Sequence, residues 1–159
     1  MTAPALVIGL GNPDRGDDGA GREIARCVAA RRTGIRVLEL DDPSDALDAW
    51  TGQDTVVVAD AVVSGGQVGQ LHVVQVGETR LPTEGWASGG THALGIAAAV
   101  ELARALGRLP RRLVLVGVEG ARFTCGAPMS AAVAAAVPRA TDVVLDLVAG
   151  VAPDSGGRG

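Results

Sequence analysis

The sequence predicts an α/β fold, a three-layer α/β/α sandwich around a mostly parallel, twisted sheet of about five strands. Three observations predict it. Apolar runs such as "ALVIGL", "TVVVADAVV" and "RLVLVGV" have the look of strands buried on both faces. Segments with apolar residues at helical spacing lie between most of the runs, as right-handed crossovers require. The length, 159 residues, suits one domain with a substantial core.

A first strand is expected over 5–10 and a first helix over 21–32, where Ile24, Cys27 and Val28 fall on one face. A strand over 36–40 precedes a short helix over 44–50, with Ser44 suited to be its N-cap. The run 55–63 reads as a central strand. Residues 69–76 alternate more, as an edge strand does, and this one is the candidate to run antiparallel. The glycine-rich stretch 77–91 is long enough to be a functional loop. A long helix over 92–106 ends at Gly107, ahead of Pro110. The last strand is expected over 112–118. Two helical segments come after it, parted by Pro138 as a kink or restart. One domain is expected over 1–150, with a disordered tail over 151–159.

Composition removes several function classes. The chain is 47% hydrophobic and 20% charged, a globular balance. No apolar run is long enough to span a membrane, so no membrane partner is expected. The start "MTAPALVIGLGN" lacks a basic segment and a cleavage pattern, which leads to an expected cytoplasmic location. The net charge is -4, every cation is Arg, and no basic stripe exists, so nucleic acid is not an expected partner. Three aromatic residues are too few for base-stacking platforms. The two cysteines, Cys27 and Cys125, lie too far apart for a CxxC pair or zinc spacing. Cys27 reads as a small core residue. Cys125 has no acid or His partner near it in sequence.

Ligands of such sheets bind beyond the carboxyl ends of the strands. Asn12, Asp17 and Asp18 come after the first strand, in "VIGLGNPDRGDDGAG". Asp41 and Asp42 come after the second, Asp60 interrupts the third, and Glu119 and Cys125 come after the last. "GTHALG" brings Gly90, Thr91 and His92 to the start of the long helix. Converging carboxylates need a reason, and a divalent cation supplies one. Two carboxylates and a neutral imidazole suit nickel, zinc, manganese or iron. The helix dipole favours the neutral imidazole. Structural readings compete. Asp17 or Asp18 suits the cap of the first helix, Asp41 suits a turn, and His72 reads as a solvated or packing residue. Asp60 is hardest to read as structural, because a buried carboxylate is costly unless paired or metal-bound.

The segments "GLGNPDRGDDGAG", "VVVADAV", "GTHALG" and "LVLVGVE", in that order, resemble the nickel-iron hydrogenase maturation proteases over residues 5–150. The resemblance implies an endopeptidase that removes a C-terminal peptide from the nickel-loaded precursor of a hydrogenase large subunit. It implies a metal site of Asp18, Asp60 and His92, with Asp18, Asp60 and Asp41 as the catalytic acids. Asn12, Asp17, Gly90 and Thr91 would line the substrate. The nickel would come with the substrate, and other divalent metals would substitute for it. The chain departs from the family's usual pattern at Pro13, Asp14 and Arg15, where apolar residues are common, and at Asp18, where many members carry Glu. Two other readings share some features: a nickel-binding, chaperone-like module without protease activity, and a peptidyl-tRNA hydrolase, which "VIGLGNP" also resembles. The latter needs a His where this chain has Arg22.

Overall fold

A computed structural model describes residues 4–77, 87–88 and 95–149; the tail expected over 151–159 lies outside them. The elements are β1 (Leu6–Leu10), a 3-10 turn (Gly16–Gly19), α1 (Ala20–Arg31), β2 (Arg36–Leu40), α2 (Pro43–Trp50), β3 (Thr55–Val63), β4 (Leu71–Val76), β5 (Ala87–Ser88), α3 (Ile96–Leu106), β6 (Arg112–Glu119) and α4 (Ala131–Ala149). The expected sandwich is present. The main strands run in the order β2-β1-β3-β6-β4. β1, β2, β3 and β6 are parallel, and β4 lies antiparallel to β6 at the edge. The stretch read as one loop contains β5, which pairs antiparallel with Val62 and Val63 of β3, past the end of the β1 pairing at Ala59.

Alternation along the strands divides the core in two. Val57, Ala59, Ala61, Val114, Val116 and Val118 pack with residues of α1 and α4. Val56, Val58, Val62, Leu113 and Leu115 pack with residues of α2 and α3. By the same alternation, Asp60 sits in the row of Val58 and Val62, towards α2 and α3. Cys27 is half-buried against the α1/α4 core rather than inside it.

Three local expectations are corrected. The N-cap of α2 is Asp42, whose carboxylate accepts from the Ser44 amide and hydroxyl, both at 2.9 Å, with Pro43 opening the helix. α1 starts at Ala20 behind Gly19 and has no side-chain cap, because the neighbouring aspartates are engaged elsewhere. α4 is one helix that continues through Pro138, so the proline does not restart it. The Arg139 guanidinium donates to the Ala135 carbonyl and the Thr141 hydroxyl to the Val137 carbonyl, which supports backbone acceptors around the proline. α3 ends as expected at Gly107, whose φ of 69° is left-handed.

No helix among the described residues is long and apolar enough to cross a membrane.

Candidate active site

The site is built at the carboxyl end of β1. The backbone turns sharply at Gly11, with φ at 129°, and a Cβ there would lie 1.9 Å from the Asp18 carbonyl oxygen. Asn12 shapes the residues after it: its side-chain oxygen accepts from the Asp14 amide at 2.9 Å. The Arg15 amide donates to the Asn12 carbonyl, and the Asp18 amide to the Arg15 carbonyl, winding the chain into the 3-10 turn. Glycine at 21 lets α1 lie against the sheet. A Cβ there would meet the carbonyl oxygens of Ala59 at 2.3 Å and Leu10 at 2.5 Å.

The turn carries two buried aspartates with different duties. Asp17 is wholly occupied. It accepts from the amides of Ala121 and Arg122, both at 2.9 Å, and from the Ser130 amide at 2.7 Å and hydroxyl at 3.1 Å. Burial alone would push its carboxyl up, but these bonds outweigh burial and hold it below the usual carboxylate range. Asp17 therefore ties the first loop to the segment after β6 and to the start of α4.

Asp18 is only half engaged. Its Oδ2 accepts from the Asn12 amide at 2.9 Å, while its Oδ1 is buried with no hydrogen-bond partner. Asp60 is a match for it. Its Oδ1 accepts from the Ala61 amide at 2.8 Å, and its Oδ2 is buried without a partner. The two residues are 1% and 3% exposed. Burial, and then the charge on Asp18, push the Asp60 carboxyl well above its ordinary range. Two adjoining buried carboxylates, each with an orphan oxygen, form an unstable arrangement that a divalent cation or a proton resolves. The donor set fits such a cation.

Among the described residues no three His, Cys, Asp or Glu converge as a metal-binding group. His92, the expected third ligand, lies outside the described residues, as do Gly90 and Thr91. The described helix starts at Ile96, later than the expected 92.

Asp41 does not join the buried pair. It is exposed, and its Oδ1 lies 2.5 Å from Nη1 of Arg22. Arg22 also donates through Nε to Glu39 at 3.2 Å and through Nη1 to the Gly11 carbonyl at 3.4 Å. Cys125 is an exposed free thiol.

Sequence reasoning missed a second polar cluster. Glu119, 2% exposed at the end of β6, accepts from the Ser64 amide at 2.8 Å, from the Ser64 hydroxyl, and from Nε2 of His72 at 2.9 Å. Burial would raise its pKa, but these bonds and His72 prevail and hold it below the ordinary glutamate range. The cluster pins the β3–β4 connection. A signal was present: Glu119 ends an apolar run, much as Asp60 interrupts one.

The domain is an α/β/α sandwich with a buried acid pair at the carboxyl end of β1. Residues 42–147 match the hydrogenase maturation protease family model, HycI, and the chain belongs to that family, whose members are endopeptidases. The match includes Asp60 and His92 and begins after Asp18 and Asp41. The fold is that of the hydrogenase maturating endopeptidase HybD from E. coli, which is 24% identical with 94% of each chain covered and a TM-score of 0.78. The [NiFe] hydrogenase maturation protease HybD from Thermococcus kodakarensis is 22% identical, covering 91% of this chain and 99% of that one, with a TM-score of 0.73. HycI from the same organism is 18% identical, covering 92% and 93%, with a TM-score of 0.66. Comparison with curated proteins gives no match.

Proposed function

We propose that this endopeptidase removes a C-terminal peptide from the nickel-loaded precursor of a nickel-iron hydrogenase large subunit, in the cytoplasm. The observation that carries the reading is the buried Asp18–Asp60 pair, each acid holding one oxygen without a partner. Asp18, Asp60 and His92 are the residues that would contact the nickel, which arrives as part of the substrate. Other divalent metals of similar coordination would serve in its place.

A divalent ion held there supplies Lewis acidity toward a carbonyl or a water. The chain's own groups do the rest. The Asn12 amide fixes Asp18 Oδ2 and leaves Oδ1 aimed elsewhere. The Ala61 amide fixes Asp60 Oδ1 in the same way. Burial and the charge on Asp18 raise the Asp60 pKa, so this acid is easier to protonate than a free aspartate, and a positive charge seated beside it would favour the carboxylate. No G-x-S-x-G nucleophile motif is present, so water activated beside the acid pair is the proposed nucleophile.

The test mixes the protein with large-subunit precursors, with and without nickel, and reads their masses. Loss of a defined C-terminal fragment only from nickel-loaded precursor is expected. Intact masses with stoichiometric nickel transfer would replace the protease with a binding module. His92→Ala and Asp60→Asn should each abolish trimming while the melting temperature stays near or above that of the parent. Near-parental trimming by either variant removes that residue from the site.

A further inference from the structure

The Gly11 carbonyl and the Asn12 amide belong to one peptide group, and both of its ends are gripped. Nη1 of Arg22 donates to the Gly11 oxygen at 3.4 Å, and the Asn12 N–H donates to Asp18 Oδ2 at 2.9 Å. The same Nη1 lies 2.5 Å from Asp41 Oδ1. From these contacts we infer that Asp41 is a positioning residue: it holds Arg22, and Arg22 sets the peptide plane that aims the Asp18 carboxylate.

The geometry favours this over direct chemistry at Asp41. Its side chain is 69% exposed and already paired with a guanidinium, whereas the two orphan oxygens lie buried on Asp18 and Asp60. The peptide plane also needs a restraint. Glycine at position 11, with φ at 129°, places no side chain against that plane and so restrains it less than any other residue would. A cation on the carbonyl oxygen opposes its rotation, and also polarises the N–H toward the carboxylate. Arg22 is itself held: Nε donates to Glu39 at 3.2 Å, and Glu39 also accepts from Arg26 at 2.9 Å. The chain of contacts runs from the end of β2 through α1 to the loop after β1. The inference rests on the proposed role of Asp18 in processing.

Two measurements separate the inference from that role. The first is amide hydrogen exchange at Asn12, read by NMR on the protein without substrate. Arg22→Gln and Asp41→Ala should each speed it about tenfold, and the double variant no further. Asp41→Asn, whose amide oxygen still accepts from Arg22, should leave it near parental. The second is cleavage of nickel-loaded precursor. Arg22→Gln and Asp41→Ala should lower kcat by a similar factor, about tenfold, with KM nearly constant. Arg22→Lys and Asp41→Asn should restore most of it. The inference is overturned if Asn12 exchange is unmoved by Arg22→Gln, or if Asp41→Asn is as inactive as Asp41→Ala. It is also overturned if the double variant loses the product of the single effects. A parental protein that cleaves nothing overturns the protease reading alone, because the exchange measurement still decides the contact.

Discussion

The carboxylates of Asp18 and Asp60 come from separate elements, a 3-10 turn and the middle of β3, yet share one bonding pattern: a backbone amide holds one oxygen and the other is orphaned in the interior. This pair destabilises the metal-free fold. Asp60→Asn keeps the shape, removes the repulsion, and should raise stability by about 1–2 kcal/mol at neutral pH. The sign comes from the raised pKa of Asp60. A carboxyl raised in the folded state contributes fully below its unfolded pKa, about 3.9, and that contribution is lost as pH rises through the folded value. The advantage of the Asn variant should therefore grow from pH 4 upward, as read by denaturant unfolding at several pH values. A variant less stable than the parent at pH 7 would make Asp60 a structural anchor.

Asp17 should behave in the opposite way. Asp17→Ala strips the acceptor from three backbone amides and a hydroxyl, and should cost at least about 3 kcal/mol. Its depressed pKa means its contribution is present above the unfolded value and is lost as pH falls through the folded one. The stability gap between parent and variant should narrow on acidification below about pH 4. A loss under 1 kcal/mol at neutral pH would show that the loop is held by other means.

Glu119→Gln tests the cluster at the end of β6. The uncharged amide is a weaker acceptor for Ser64 and His72, and a loss of about 1–3 kcal/mol is expected. Hydrogen exchange should rise locally over 64–70, whose chain Glu119 pins through both side chain and backbone. Exchange unchanged there would remove Glu119 from that role.

Gly21→Ala has a purely steric outcome. The added methyl would meet the carbonyl oxygens of two paired strands, at 2.3 and 2.5 Å, neither of which is a flexible side chain. A loss of about 3 kcal/mol is expected, read as a lower midpoint in urea. A neutral result would mean that α1 can lift off the sheet at little cost.

The range of each interaction decides whether the sequence reveals it. The strands were legible because apolar runs and alternation are local, and the edge position of β4 could be read from its weaker run. Asp60 was legible as a carboxylate inside an apolar strand. The duties of Asp17 and Asp18 were not, since Asp17 finds its partners at Ala121, Arg122 and Ser130, more than a hundred residues away. His72 could not be assigned, because its contact with Glu119 depends on the β4–β6 register, which no local pattern encodes. Ser44 as a cap was a near miss: Asp42 places the stronger acceptor at the position that Pro43 fixes. The continuity of α4 through Pro138 depends on tertiary packing, with Val137 and Ala140 both buried, and that packing outweighs the proline's local cost.

β3 is flanked on both sides, by β1 and by β6, and Asp60 stands within the stretch paired with β6. Strands held in this way are the last to open in native-state exchange. Half of the acid pair is thus part of the fold's most durable element and not of a loop that closes over substrate. Asp60 should therefore hold its place through any partial opening of the surface. In mild urea the amides beside it should exchange only along the global unfolding curve, whereas the turn that carries Asp18 can open earlier and take activity with it.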